Sequence, residues 1–376
     1  MKKIILSIVA IVALASSSFA QTSPLLWQVS ENTKVKIGGF VRMNVNYDFD
    51  GSVTGNDFIS NTIPTSTTLS SEDRLNYDAT ATRLSMTLTQ STSALGDINV
   101  YVEGDFRGTS NTIRLRQAYV EAKGFIAGQA WSFMTDLAAQ APTIDINGVG
   151  SRTFFRTNLI GYRRALGQTL SAGIALEVPT LVTSYAGEYY AVNQRTPNIP
   201  VYIQAKGGVG HIKAAVAFRS LEYGTSSNER ENLLGVAGQL SGSLKAGGAV
   251  TLFGQAIYGK GINNYISDMA SLSVNLMSVD GIEMEATPMG GASLGASAKL
   301  SKKWLAAVSG SLTQNYGDEA YFEGDYKSTS YLSALVRYFP MSALSVGLEY
   351  LNGSRTNFGG DASSAQRLSF SVMYTL

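Results

Sequence analysis

An alternation of apolar and polar residues with a period of two recurs from residue 34 to the last residue, and it constrains the fold more than any other feature of the chain. Val35, Ile37, Val41, Met43, Val45 and Tyr47 share one face, opposite Lys36, Arg42, Asn44, Asn46 and Asp48. Ile98, Val100, Val102, Gly104 and Phe106 oppose Asp97, Asn99, Tyr101, Glu103, Asp105 and Arg107, and the last segment repeats the pattern with Leu368, Phe370, Val372, Tyr374 and Leu376. A period of two is that of a strand with one apolar face. No stretch beyond residue 20 approaches the roughly 18 consecutive apolar residues of a membrane-spanning helix.

Sixteen such segments are expected, at 34–48, 75–90, 96–107, 112–122, 125–131, 154–164, 168–178, 199–206, 211–220, 232–240, 244–258, 291–300, 304–316, 328–338, 343–351 and 366–376. Their connections sort by length. Those at 91–95, 123–124, 165–167, 207–210, 241–243, 301–303 and 339–342 are short. Those at 49–74, 132–153, 179–198, 221–231, 259–290, 317–327 and 352–365 are longer, with 108–111 as the exception. Short turns at one end and long loops at the other mark a transmembrane antiparallel β-barrel, all-β in class. An even strand number puts both termini on the short-turn, periplasmic side. Lipid cannot hydrogen-bond a free backbone group, so the sheet must close on itself. A cylinder of this strand number is too wide for side chains to fill. The polar faces therefore line a wet lumen and the apolar faces meet lipid, with Tyr47, Tyr338, Tyr350 and Tyr374 in an aromatic girdle. A soluble sandwich or propeller is the alternative, but it would not sort its loops by length.

Residues 1–20 read as a signal peptide: Lys2 and Lys3, an apolar run from Ile4 to Ala15, and small residues around Phe19, with cleavage before Gln21. Residues 21–33 are then a short periplasmic lead and 34–376 the barrel. Together these place the protein in the outer membrane of a Gram-negative bacterium. Charged residues make up 15% of the chain, against about 25% in soluble proteins. With no cysteine and one histidine, His211, beside the glycine-rich turn at 207–210, neither a thiolate metal site nor a general base with a nucleophile is in view, so neither enzyme nor cofactor is expected. Asp318, Glu319, Glu323 and Asp325 read as an acidic rim, with calcium ligation as the alternative. The net charge of +1 points to no nucleic-acid partner.

One region is not neutral. From Arg107 to Arg164 there are eight basic residues (Arg107, Arg114, Arg116, Lys123, Arg152, Arg156, Arg163, Arg164) and three acidic ones (Glu121, Asp136, Asp145), an excess of 8 − 3 = +5. Arg42, Arg83, Arg107, Arg114, Arg116 and Arg156 fall on polar faces by the alternation and are the expected pore-lining, anion-binding set. Arginines converging in a narrow lumen focus a positive potential and offer forked donors to carboxylates. The competing reading is a structural ladder in which Asp97, Glu103, Asp105 and Glu121 neutralise them, and both can hold together. The connection 132–153 is less polar than a loop in water should be. It is expected to fold inward as a constriction that takes in Trp131, Phe133, Asp136 and Asp145, with Phe133, Leu137 and Ala138 on one side of a short helical turn. The similarly apolar 259–290 reads as a helix or a lid over the mouth.

Residues 113–120 (IRLRQAYV), 128–133 (GQAWSF) with Asp136, 37–42 (IGGFVR) with Asp48, and 103–106 (EGDF) together resemble the DcaP-like porins. That resemblance implies a trimeric sixteen-stranded channel for small anions such as dicarboxylates, with Arg114 and Arg116 lining the pore and the constriction loop beginning at Trp131–Asp136. Two departures stand out: residues 21–33 are too short for the N-terminal coiled coil of some members, and the chain ends on Leu376 rather than on an aromatic residue. The expected function is passive diffusion of small hydrophilic solutes with a preference for organic anions, by a homotrimer seated in outer-membrane lipid. A structural or adhesive barrel plugged by its loops, and a saccharide-selective porin, are the alternatives.

Overall fold

The computed structural model describes residues 25–49, 53, 55–65, 73–183, 188–227, 229–279, 283–317 and 323–376. The segment read as a signal peptide, and Asp318 and Glu319 of the acidic rim, lie outside them. The strands in chain order are β1 (Leu25–Ser30), β2 (Thr33–Phe49), β3 (Arg74–Asp78), β4 (Arg83–Thr92), β5 (Gly96–Asp105), β6 (Arg114–Ala122), β7 (Phe125–Trp131), β8 (Arg156–Ala165), β9 (Leu170–Glu177), β10 (Tyr190–Ala191) and β11 (Ile199–Gly207). They continue with β12 (Gly210–Gly224), β13 (Arg230–Ala246), β14 (Val250–Lys260), β15 (Leu276–Val279), β16 (Glu283–Ala286), β17 (Pro288–Lys299), β18 (Trp304–Asn315), β19 (Tyr326–Met341), β20 (Leu344–Asn357) and β21 (Ala362–Thr375).

Sixteen antiparallel strand positions close into one barrel. β3 and β4 both pair with β2 and form a single position interrupted at 79–82. The seam joins β2 to β21, from Phe40 opposite Thr375 to Phe49 opposite Gln366. In addition to these sixteen positions, β1 pairs with β2 and the two-residue β10 with β12, while β15 and β16 form a separate hairpin.

The wall has the polarity that lipid demands. Ile160, Leu234, Leu294 and Leu312 project outward and are exposed, whereas Asn44, Asn46, Asp48, Glu103, Asp105, Arg116, Gln239, Ser241, Gln255, Glu349 and Arg367 point inward and are buried. The interior is polar yet largely filled, because loops occupy it.

Sequence and structure differ in several places. Residues 25–30 form β1 and pair with β2 from Leu25 opposite Ile37 to Ser30 opposite Thr33. β2 begins at Thr33 but meets β21 only from Phe40 on, so 40 − 33 = 7 residues would carry an open edge, and β1 folds back along them. The expected turn at 241–243 lies within β13. The chain instead reverses after Ala246, where Gly247 adopts a φ of +81° that suits glycine. The connections expected at 221–231 and 352–365 are shorter than predicted, because β12 with β13 and β20 with β21 continue as paired strands to Gly224 opposite Arg230 and Thr356 opposite Ala362.

Candidate functional site: a loop-lined lumen with an arginine wall

At the end of β7 the chain turns into the lumen. Phe133 lies against Gly161 and Gly173, where a Cβ would stand 2.8 and 2.9 Å from its ring, and its N–H donates to Glu177 Oε1 at 2.9 Å. Asp136 caps the 3-10 turn Leu137–Ala139 through Ala138 N–H at 3.2 Å. Its other oxygen takes Ser241 Oγ at 2.7 Å and lies 2.8 Å from His211 Nε2, while His211 Nδ1 lies 2.9 Å from Ser243 Oγ. Lys213 Nζ donates to Thr135 O and Gln239 Nε2 to Met134 O, both at 2.8 Å. The sole histidine thus clamps the start of the loop to β12 and β13. Phe133 is buried while Leu137 and Ala138 are exposed, so the three do not share one side of the turn as expected. The glycines opposite Phe133 draw its ring into the wall.

The loop then follows the inner wall across β17 to β20. Ala141 sits against Gly295 and Ile144 against Gly347. At the tip, Ile144 N–H and Asp145 N–H both donate to Glu349 Oε2, at 2.8 and 2.7 Å. Arg337 donates to Thr143 O at 3.0 Å and Arg42 to Ile144 O. A Cβ on residue 295 would come within 2.7 Å of Ala141 Cβ, which cannot rotate away. Gly295→Val should therefore push the loop off the wall and lower single-channel conductance, at a cost of about 1–3 kcal/mol from overpacking. Adding Ala141→Gly should restore part of the conductance. Unchanged conductance in the single variant would place the loop elsewhere.

Two more connections enter the lumen. Asp268, fully buried, accepts from Asn61 N–H at 3.2 Å and from Thr329 Oγ, and its own N–H donates to Gly150 O at 3.0 Å. It therefore ties 53–65, 132–153 and 259–290 together. Phe58 N–H donates to Asp145 Oδ1 at 3.1 Å. The 259–290 connection forms the 3-10 turn Asn263–Tyr265 and the hairpin β15–β16, not the helix that was one of its two expected forms. Ile262, Tyr265, Ile266 and Met269 have no exposed surface.

Burial, reinforced by Asp57, lifts the Asp145 carboxyl to about 6. The folded state thus holds this proton more tightly than the unfolded chain. Its stabilising contribution is complete below the ordinary aspartate range and is lost as pH rises through about 6. Hydrogen exchange at Asn147 and Gly148, whose N–H groups donate to Asp145 at 3.2 and 2.9 Å, should be slower at pH 5 than at pH 7.5 after correction for intrinsic rates. Asp145→Asn should remove the difference; a variant that kept it would clear Asp145 of responsibility.

The opposite wall carries the arginines. A bulge in β6 at Arg116, facing the Glu103–Gly104 step of β5, sets Arg114 opposite Asp105 while Arg116 reaches both Glu103 and Asp105. Arg114 binds it through Nε at 3.0 Å and Nη2 at 2.7 Å; Arg116 binds Asp105 at 2.8 Å and Glu103 at 2.8 Å. Arg83 Nε stands 3.8 Å from Glu103, beyond hydrogen-bond range. Arg156 lies within electrostatic reach of Arg116, Arg114 and Arg83. A stack continues from it into the loop: Arg156 over Trp131 at 5.0 Å, Trp131 against Phe154 at 4.6 Å, and Arg152 over Phe154 at 3.7 Å. Burial brings Arg152 down to about 10, so it stays charged at neutral pH.

Four of the six expected arginines, Arg83, Arg114, Arg116 and Arg156, therefore converge. The other two are committed elsewhere: Arg42 is buried beneath the loop tip, bonded to Asn44 and Ile144, and Arg107 bridges Asp57 and Asp78. The acids pair on the same wall as the arginines, Glu121 with Arg163 and Asp97 with Ser91 among them. Sequence reasoning counted Arg152 in the basic region but not in the pore-lining set, and it gave no role to Phe154 or to Tyr119 and Tyr202, which join Tyr101 on the inner wall near the loop. Tyr202 alternates with Val201 and Ile203 and was readable as inward, whereas Tyr119 faces inward only because the bulge at Arg116 shifts its phase.

A family model of the porin subfamily matches residues 31–368. Among solved structures, the outer membrane channel DcaP of Acinetobacter baumannii matches with a TM-score of 0.80 at 20% identity, over 93% of this chain and 99% of that one. OmpT of Vibrio cholerae in its trimer form gives 0.57 at 12% identity, over 92% and 100%. An anion-selective porin from Comamonas acidovorans gives 0.57 at 11%, over 92% and 100%. At these identities the structural likeness concerns the fold. No curated protein matches the sequence.

Proposed function

This chain belongs to the porin subfamily and forms a channel of the Gram-negative outer membrane, and from that premise we propose that it passes small organic anions, dicarboxylates among them, down their gradient. The observation that carries the proposal is a set of donors without acceptors. Arg83 Nε, Arg116 Nη2 and Arg156 Nη1 are buried and have no hydrogen-bond partner among the described residues. Around them Arg83, Arg114, Arg116 and Arg156 face Glu103 and Asp105, a local charge of 4 − 2 = +2. Buried cationic donors left unpaired are costly. A carboxylate supplies both the acceptors and the charge. The apolar loop meanwhile narrows the lumen and strengthens the field.

The pore-lining role falls to Arg83, Arg114, Arg116 and Arg156, and the constriction to 132–153 with Trp131, Phe133, Asp136 and Asp145. We extend the proposal to export by the signal peptide 1–20 and to assembly as a homotrimer, the form in which OmpT of Vibrio cholerae has been solved. In a planar bilayer under a salt gradient the reversal potential should report anion preference, and millimolar dicarboxylate should reduce chloride current. A cation preference would overturn the assignment.

A second reading is favoured by one observation. Three connections interlock at Asp268, and Phe58, Ile63, Ile262, Tyr265, Ile266 and Met269 within them have no exposed surface, as in a stopper. Liposome swelling with small neutral sugars separates the two readings, because a plugged barrel admits none.

A further inference from the structure

Below the constriction loop, one side of the lumen carries a single sign of charge. On β13, Ser241 bonds Asp136 of the loop, and its face continues through Ser243 to Lys245. On β17, Gly295 lies against Ala141 of the loop, and its face continues through Ser297 to Lys299. On β11, Tyr202 meets Phe133, and its face continues through Gln204 to Lys206, which the register sets opposite His211. Each lysine therefore stands four residues beyond a residue in contact with the loop, about 13 Å along the strand toward the short periplasmic turns. Each points into the lumen, because Ile203, Leu244 and Leu294, in the opposite phase, are exposed on the outer wall.

The three lysines are exposed, and none forms an ion pair among the described residues. Segments 201–213, 241–253 and 295–308 contain no aspartate or glutamate. Elsewhere at this mouth the charges are largely offset: Glu121 pairs with Arg163, and Asp97 faces the lumen two strands from Lys34 and Lys36. On β11, β13 and β17 the lysines are spaced two strands apart, about 10 Å at about 4.8 Å per strand. That is about one Debye length at 0.1 M salt, so their fields overlap. The arginine wall is a separate feature, since Arg83 and Arg114 open β4 and β6, whose far ends lead to the short turns.

We infer that Lys206, Lys245 and Lys299 form a second anion station, in series with the arginine wall, that collects dianionic solutes at the periplasmic mouth. The inference rests on the reading of the barrel as an anion channel. Three unit charges about 10 Å from a monoanion in water concentrate it about eightfold without salt and about twofold at 0.1 M, and a dianion about fivefold at 0.1 M. An ammonium is a hydrated point charge on a flexible stem, whereas a guanidinium is a fixed fork. The lysine station therefore selects by charge number, and the arginine wall by the shape of the carboxylate. A solute arriving from the periplasm meets the lysines first; one arriving from outside meets the arginines first.

Succinate, added to one side of a planar bilayer that holds the channel in one orientation, tests the inference through its block of the chloride current. In a variant carrying Lys206→Gln, Lys245→Gln and Lys299→Gln, half-block from the periplasmic side at 0.1 M KCl should need about fivefold more succinate than in the parent. Block from the extracellular side should change less. At 1 M KCl, where the Debye length is about 3 Å, the difference between parent and variant should vanish. Arginine at all three positions keeps the charge and should keep the parent's sensitivity. Lys245 Nζ donates to Gly208 O at 3.1 Å, so Lys206→Gln with Lys299→Gln, which spares that bond, is the milder variant and should lose about threefold. Anion preference in a salt gradient should weaken in these variants without changing sign, because the arginine wall remains. Glutamine variants as sensitive to periplasmic succinate as the parent would overturn the inference and leave the arginine wall standing. So would arginine variants as insensitive as the glutamine ones. A cation preference in the unmodified channel would instead overturn the reading on which the inference rests.

Discussion

Replacing Arg83 and Arg156 together by alanine is expected to bring the reversal potential in a salt gradient close to zero. The pair supplies two of the four positive charges at the inner wall, and Glu103 and Asp105 remain, so the local charge falls from +2 to 0. These two residues are chosen because, among the described residues, each keeps an unpartnered N–H and neither hydrogen-bonds a carboxylate. Arg116 is different. Its side chain is 2% exposed and it bonds both acids, so Arg116→Ala leaves two buried carboxylates short of a partner, a loss of about 3–5 kcal/mol. The double variant should therefore fold and lose selectivity, whereas Arg116→Ala should lose stability as well. Anion preference that survives in the double variant would return the whole set to a structural ladder. Glu103→Gln is the converse case and should strengthen anion preference.

The second large effect is expected at Asp268. Asp268→Ala deletes the acceptor shared by Asn61 and Thr329 and so loosens the junction of three loops. Each hydrogen bond to this group is worth about 1.5–3 kcal/mol if charged and about 1 if neutral. The loops should then leave the lumen intermittently, and single-channel conductance should rise and become noisy. Burial raises the Asp268 carboxyl above its ordinary range, so the neutral, isosteric Asp268→Asn should stay close to the parent. If alanine left conductance unchanged, the loops would be held by their apolar contacts, Ile262, Ile266 and Met269 above all.

Those contacts also mark how much could be read in advance. The phase of β2 was legible residue by residue: Arg42, Asn44, Asn46 and Asp48 are buried on the inner side, and Val41 and Met43 are exposed on the outer. The inward course of 132–153 was legible from its missing polarity. The clamp of Asp136 by His211 was not, because 75 residues separate them and only the closed sheet brings them together. Arg42 and Arg107 shared the alternation of Arg83 and Arg116, yet a loop tip covers one and Asp57 binds the other. Period alone cannot distinguish a free arginine from a covered one.

The sequence by itself determined a closed barrel and the facing of its walls, since lipid accepts no unpaired backbone group and a strand has only two sides. Only the tertiary structure decided which arginines keep unsatisfied donors and where the loops lie. Those outcomes depend on which residues the register sets opposite one another and on glycines that let a distant loop approach, and both are relations between segments far apart in the chain.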